Sequence, residues 1–421
     1  MQPYGIGISA SEARQALKKG DISILELVEA HVRRIEDVNG RINAVIYPMF
    51  EQALEQARAA SKALKKNSDT GKLFGIPITL KDQFMVRGTP ASCGLSNRTS
   101  KRMDQEDSLV SRLREEGAII LGKTNLPQLL FSHECEHAHY GRAKNPWNLE
   151  RTTGGSSGGE AGIIAAGGSM LDLGGDMGGS LRVPAHCCGI HAIKPTSGRL
   201  PNDDTPPGLG YFAEFAGFEG FVVQPGPMAR SVEDLKTMLD CFLYKPLKSM
   251  DSYIPHSWSP GSISPPDGLR IGIYTDNTYF PVSPAISRVV SAAAKNLEDA
   301  GLSVGLFIPP DPTEGMNIYM SLLSADGGQW IKNALNGEQP TSDVKSFMQL
   351  AGLPNSIRPG ISKLLSLMGQ KFASSSILNA GRLSVHKYWE TTMRRTNYRT
   401  RFLESMNAQN IDLIRFSYQE S

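Results

Sequence analysis

"TTGGSSGGEAGIIAAGGSMLDLGGDMGGSLRVPAHCCGIHAIKPTSGR", residues 152–199, decides how this chain is read. Two glycine clusters flank one short apolar helix and one short strand. Ser157-x-x-Glu160 spells a capping box, which predicts a helix from about Gly158 through "EAGIIAAGG". "MLDL" then predicts a strand running into Gly174–Ser180. Glycine at this density costs conformational entropy on folding. It is retained where backbone must approach a neighbour closely, or where several N–H groups must converge on one point. Such a nest suits an anion or a developing oxyanion.

Three chemistries compete for the block. A phosphate loop needs a Lys after Gly179, and Ser180 stands there. A nucleophile elbow, G-x-S-x-G, fits at Gly154-x-Ser156-x-Gly158 and again at Gly155-x-Ser157-x-Gly159. That reading needs a downstream acid and His, and His186, His191, His256 and His386 stand in no diagnostic context. The third rests on a resemblance that further motifs along the chain carry. A plain glycine linker would not carry an apolar helix and strand inside it.

Working outward, helix and strand alternate. "SASEARQALKKG" and "SILELVEAHVRRIEDVNG" each open near a Ser, carry apolar residues at helical spacing and close on Gly. A third amphipathic helix is predicted over 50–66. "LFGIPITL" (73–80) and "GAIILGKTN" (117–125) are apolar and rich in strand formers, separated by the helix "SLVSRLREEG". Downstream, "SVEDLKTMLDCF" and "PAISRVVSAAAKNLEDAG" predict helices with the strand "LRIGIY" between them. The Pro- and Ser-rich stretch 245–268 predicts a surface excursion, 311–408 mostly helix, and "IDLIRF" a last strand. The expected class is α/β: a large mixed, mostly parallel twisted sheet surrounded by helices. We expect one domain over 1–421, with a helical part at 1–70, the core at 71–244 and a peripheral, mostly helical part at 245–421.

Composition narrows the partners. The 421 residues carry a formal charge of +2, with no basic excess of the kind nucleic-acid binders show. No run approaches the length of a membrane span, and "MQPYGIGISASEARQ" lacks a signal peptide's layout. Five cysteines form no regular framework, so a reducing cytoplasm is the expected compartment.

On these motifs the chain is identified as a member of the amidase signature family of serine hydrolases. The marks are GGSSGG, GGDMGGS-x-R-x-P with Ser180, Arg182 and Pro184, and C-G-x-x-x-x-K-P-T from Cys188 to Thr196. "GIPITLKD" (75–82), "TNLPQL" (124–129), "YGRAKNPWN" (140–148) and "GPMARSVEDL" (226–235) agree with them, so the resemblance covers nearly the whole chain. It implies a Ser–Ser–Lys triad on Lys81, Ser156 and Ser180, with Ser180 as nucleophile and Ser156 as bridge. It implies a cis peptide before Ser156 and an oxyanion hole from the N–H groups of Met177, Gly178, Gly179 and Ser180. Ser157, Asp176 and Arg182 are read as support, the last two as a pair fixing the loop. A small-molecule amide is the implied substrate, an acyl chain included among the options, with no metal or organic cofactor; a homo-oligomer is left open.

Lys81 must be neutral to act as a base. A free Lys titrates at about 10.4, so work near neutrality needs a pKa about 3 lower, or about 4 kcal/mol. Burial behind "GIPITL" is the expected source. Asp82, next along the strand, should point to the opposite face.

Glu160 after GGSSGG and "RLSVHKYWETTMRRTNYRTRFLESMNAQNIDLI" (382–414) are similar to the fatty acid amide hydrolase branch. Gly175 and Ala192 depart from the family's usual Thr and Gly. Beyond "IDLI" the family continues, whereas here "RFSYQES" follows, and we expect a shortened C-terminus with an unpaired sheet edge. Two rival readings accompany the hydrolase: a member impaired by that end, and an amidotransferase subunit working with partner chains.

One stretch points elsewhere. His133-Glu134-Cys135-Glu136-His137, with His139 after it, spells a zinc-protease helix. A third ligand is missing: the metzincin positions hold Tyr140 and Ala143, and Glu160 is taken as a helix cap. We expect no metal there and a surface or cleft-rim place instead.

Overall fold

Serines mark where the first helices begin. In the computed structural model, which describes residues 7–64, 71–201, 223–243, 268–274 and 282–416, Ser9 accepts from Glu12 N–H and Glu12 reaches back to Ser9 N–H, starting α1 (Ala10–Lys19). Ser23 and Glu26 repeat this capping box at α2 (Ile24–Ile42). Both helices end on a left-handed residue, Gly20 and Asn43. The apolar stripe of α2, including Leu27, Val28, Ile35 and Val38, is buried.

The chain divides into two compact units, Met1–Pro260 with Trp330–Ser346, and Gly261–Gln329 with Phe347–Ser421. After α2 the first unit continues through β1 (Val45–Pro48), α3 (Phe50–Leu64), β2 (Pro77–Lys81), α4 (Ser108–Glu115) and β3 (Ile119–Thr124). Two small hairpins follow, β4 (Glu136–His137) with β5 (Gly141–Arg142), and β6 (Lys144–Asn145) with β7 (Asn148–Thr152). The glycine-rich block then forms α5 (Gly158–Ala165), β8 (Leu171–Asp176), α6 (Arg182–Cys188) and β9 (His191–Ala192), before β10 (Gln224–Ala229) and α7 (Val232–Leu243).

Six of these strands make one mixed sheet in the order β1-β3-β2-β8-β10-β9. Its centre, β3-β2-β8, is parallel, and its flanks are antiparallel. All five residues of β2 and all six of β8 are buried, as expected for central strands covered on both faces. Because β2 and β8 run parallel, with Leu80 opposite Leu173, Lys81 and the loop after Asp176 leave the sheet at the same edge. In open α/β sheets ligand sites form at that carboxyl edge.

The later segment Trp330–Ser346 is tied into this unit by polar groups. The Glu338 carboxylate accepts from Ser96 N–H, Asn97 N–H and the Gln128 amide, at 3.0 Å each. Gln128 in turn accepts from Thr341 N–H at 2.8 Å.

The second unit contains β11 (Arg270–Tyr274), α8 (Pro284–Asp299), β12 (Ser303–Leu306) and α9 (Pro312–Leu323). Next come α10 (Gln329–Leu335) and α11 (Ser342–Gly352), whose Trp330–Ser346 portion belongs to the first unit. The run closes with α12 (Arg358–Leu367), α13 (Lys371–Asn379), α14 (Val385–Ala408) and β13 (Leu413–Phe416). Its sheet, β12-β11-β13, is parallel throughout. The alternation read from the sequence thus forms an α/β fold with a mixed sheet. Residues 244–267, which hold nearly all of the predicted Pro/Ser excursion, and residues 417–421, on which the expected shortened end bears, lie outside the described residues.

Candidate active site

Lys81 is fully buried at the end of β2. Its Nζ donates to Ser156 Oγ at 2.8 Å and Ser157 Oγ at 2.7 Å, and more weakly to the Gly175 carbonyl at 3.4 Å. Burial pushes this amine below its ordinary pKa, and the opposing pull comes first from Glu160. A neutral amine is therefore within reach, although three acceptors surround it.

The Gly155–Ser156 peptide is cis. A side chain at 155 has no room, since a Cβ there would lie 2.5 Å from the Ser132 carbonyl oxygen and 3.0 Å from His133 Cα. Helix α5 begins at Gly158, where the sequence places it, with Ser157 as N-cap residue. The capping box itself does not form. Ser157 Oγ is held by Lys81 and lies 3.4 Å from the Gly175 carbonyl, and it makes no cap hydrogen bond. The Asn125 carbonyl accepts from Gly159 N–H instead, at 3.1 Å. Glu160 does not reach back either: it is fully buried and neither carboxyl oxygen has a hydrogen-bond partner. The capping spelling describes a helix end in water, and here a buried amine competes successfully for the serine.

The loop after β8 is organised by Asp176. Its buried carboxylate accepts from Gly179 N–H (2.8 Å) and Leu181 N–H (3.1 Å), and from Arg182 through two bonds of 3.0 Å. Burial alone would raise this carboxyl; the Arg182 bonds and charge and the two amides outweigh it and hold the pKa below the ordinary value. Gly179 N–H is spent on Asp176, while the N–H groups of Met177, Gly178 and Ser180 have no acceptor among the described residues. Ser180 is buried, and its carbonyl accepts from Ser157 N–H at 3.1 Å, which couples the two loops. Its Oγ makes no hydrogen bond among the described residues. Catalytic contacts of this kind often close only around substrate.

Behind β2 lies a second polar cluster, on the face to which Asp82 was expected to point. Asp82 accepts from Ser92 Oγ and from Ser92 N–H (2.9 Å), and faces Lys123 Nζ at 3.4 Å. Lys123 also donates to the Phe84 and Pro90 carbonyls at 2.7 and 2.6 Å. His137 Nδ1 accepts from His139 N–H at 3.0 Å, so Nε2 carries the proton and donates to Ser92 Oγ at 2.8 Å. The zinc-helix spelling therefore fails on conformation: β4, a turn and β5 replace the helix. His133 and His139 are exposed, whereas His137 is core, so the surface expectation holds for the first two and not for the third. Neither the His137–Ser92–Asp82–Lys123 cluster nor the burial of Glu160 was anticipated; the Lys inside the apolar "GAIILGKTN" was the available signal.

Burial pushes the His137 imidazole from 6.5 down to about 4. A folded-state value below the unfolded one means that the unfolded chain binds the extra proton first. Stability is then complete above about pH 6.5 and falls as pH drops toward 4, by up to about 3 kcal/mol. Urea unfolding followed over that range should show this slope. In His137→Asn the slope should flatten, and an undiminished slope would assign it to other groups.

The Amidase family profile matches residues 26–417. Indoleacetamide hydrolase of Bradyrhizobium diazoefficiens is 34% identical over 365 residues, covering 82% of this chain and 68% of that protein. Fatty-acid amide hydrolase 1 of Sus scrofa is 28% identical over 403 residues, covering 95% of this chain and 67% of that one. Among solved structures, a fatty acid amide hydrolase superposes with a TM-score of 0.81 at 26% identity, covering 97% of this chain and 67% of that one.

Proposed function

The chain belongs to the amidase signature family of amide-hydrolysing enzymes, and from that premise we propose that it cleaves a carboxylic or fatty acid amide through an acyl-enzyme on Ser180. The observation that carries this reading is Lys81 Nζ, buried and 2.8 Å from Ser156 Oγ, at the sheet edge where the Ser180 loop begins.

A serine hydroxyl attacks well only when a base removes its proton. Ser180 Oγ forms the bond to the amide carbon, its proton passes to Ser156 Oγ, and the Ser156 proton passes to Lys81 Nζ. The carbonyl oxygen becomes an oxyanion within reach of the Met177, Gly178 and Ser180 N–H groups; one such donor is worth about 3 kcal/mol in the transition state. The C–N bond breaks as the proton returns through Ser156 to the leaving nitrogen. Water then attacks the Ser180 ester by the same route and releases the acid. Asp176 and Arg182 hold the loop, and Ser157 holds Lys81 beside Ser156. These steps use only the chain's own residues and water, acting on a small-molecule amide.

Labelling with a fluorophosphonate probe, followed by an amide panel, tests this. The names of the relatives direct the panel to arylacetamides and long-chain amides. Wild type should be labelled and Ser180→Ala should not; equal labelling of the two would overturn the assignment.

A further inference from the structure

Three buried carboxyls, Glu160, Asp176 and Asp172, act on Lys81 through their charge, and they are not equivalent. Asp176 on β8 already has its charge answered by Arg182. Asp172 on the same strand accepts from Thr79 Oγ at 2.5 Å, and its other oxygen has no partner. Burial first, and then the neighbouring Glu160, push its pKa well up. Glu160 remains. It stands in the first turn of α5, three residues beyond Ser157, whose hydroxyl Lys81 holds. Both of its oxygens are buried without a hydrogen-bond partner. The Thr124 hydroxyl donates to the Leu80 carbonyl at 3.1 Å; turned toward Glu160 it would favour the carboxylate, as the Glu160 backbone amide does, each less than Lys81. The strongest compensation for an ionised Glu160 is the Lys81 ammonium, with the favourable end of the helix dipole beside it.

We propose that Glu160 is the counter-charge of Lys81 and that the two share a single proton in the resting enzyme, making Glu160 a positioning residue that sets when Lys81 can act as a base. The inference rests on the Lys81–Ser156–Ser180 reading and deepens it. With the proton on Lys81, the pair is an ammonium and a carboxylate. With the proton on Glu160, it is an amine and a carboxylic acid that can donate to Thr124 Oγ. The net charge of the pair is zero either way, which avoids leaving one charge alone in a dry interior. Each partner is the strongest charge acting on the other: Glu160 is first among the groups favouring the Lys81 ammonium, and Lys81 first among those favouring the Glu160 carboxylate. Burial raises Glu160 to about 7, where a proton can be exchanged. The other titratable neighbours are Asp82, committed to Ser92 and Lys123, and Cys135, kept a neutral thiol at about 12 by burial.

The test is the pH profile of kcat/KM, with the pH dependence of fluorophosphonate labelling as a substrate-independent copy. In Glu160→Gln the ammonium loses its counter-charge, so Lys81 is neutral at lower pH. The acid limb should move down by about one pH unit, a tenfold gain relative to wild type on that limb. Glu160→Asp, with its charge one methylene further off, should fall between the two and carries the test where Glu160→Gln does not accumulate. Asp172→Asn, which keeps an acceptor for Thr79, should leave the limb in place. An acid limb unmoved in Glu160→Gln, or moved equally by Asp172→Asn, overturns the proposal. Absence of Ser180-dependent labelling in wild type would instead overturn the parent reading.

Discussion

Lys81→Met is expected to lose between 10²- and 10⁴-fold in amide turnover, the range for removal of a general base, while the protein stays folded. Methionine has nearly the length of lysine and no charge. The substitution removes one partner of the Lys81–Glu160 pair, which is costly while Glu160 stays ionised; burial already raises that carboxyl to about 7, so Glu160 can take up a proton and limit the loss. What remains are two hydroxyls, Ser156 and Ser157, that lose their donor, and Ser157 Oγ already lies 3.4 Å from the Gly175 carbonyl, to which it can donate. Activity and stability should therefore separate: a protein still folded around neutral pH, where Glu160 takes up a proton, with turnover nearly gone. Turnover within tenfold of wild type would remove Lys81 from the chemistry. Turnover lost together with the fold would make it structural.

Gly159→Ala should act in the opposite sense, through the fold. A Cβ at 159 would lie 2.3 Å from Asn125 N and 2.6 Å from the carbonyl oxygens of Ala44 and Asn125. All three are backbone atoms, so no side chain can swing aside. The helix that carries Ser157 and Glu160 would have to move off the end of β3, where Asn125 N–H is paired with the Ala44 carbonyl. We expect a loss of about 3 kcal/mol, the upper end for overpacking, measured by urea unfolding, with a displaced Ser157 and slower labelling of Ser180. A midpoint equal to wild type would mean that the backbone yields there at little cost.

How much of this was legible beforehand differs from residue to residue. β2, β8 and α5 could be placed because their patterns are local: apolar runs closed by glycine, and a serine before a helix. The positions of Lys81, Ser156 and Ser180 came from spelling that resembles a family, not from periodicity. That the capping box of Ser157 and Glu160 does not form, and that Gly179 N–H donates to Asp176, were not legible for one reason. A capping box or an N–H nest assumes that water is the competitor, whereas here Lys81 and Asp176 are, and their proximity exists only after β2 and β8 pair. His137 was missed similarly, since a zinc spelling presupposes a helix, and "HECEHAHYG" makes a hairpin whose one inward histidine meets Ser92.

The Glu338 clip has a consequence in time. The unit that holds Lys81, Ser156 and Ser180 is completed by Trp330–Ser346, and Trp330 is synthesised 150 residues after Ser180 (330 − 180). At roughly 5–20 residues per second of translation, the glycine-rich block waits about 8–30 s before that segment leaves the ribosome. Throughout this interval the Ser96 and Asn97 amides and the Gln128 side chain lack the carboxylate that later binds all three. The nascent protein thus holds Lys81, Ser156 and Ser180 well before it can finish the unit that contains them.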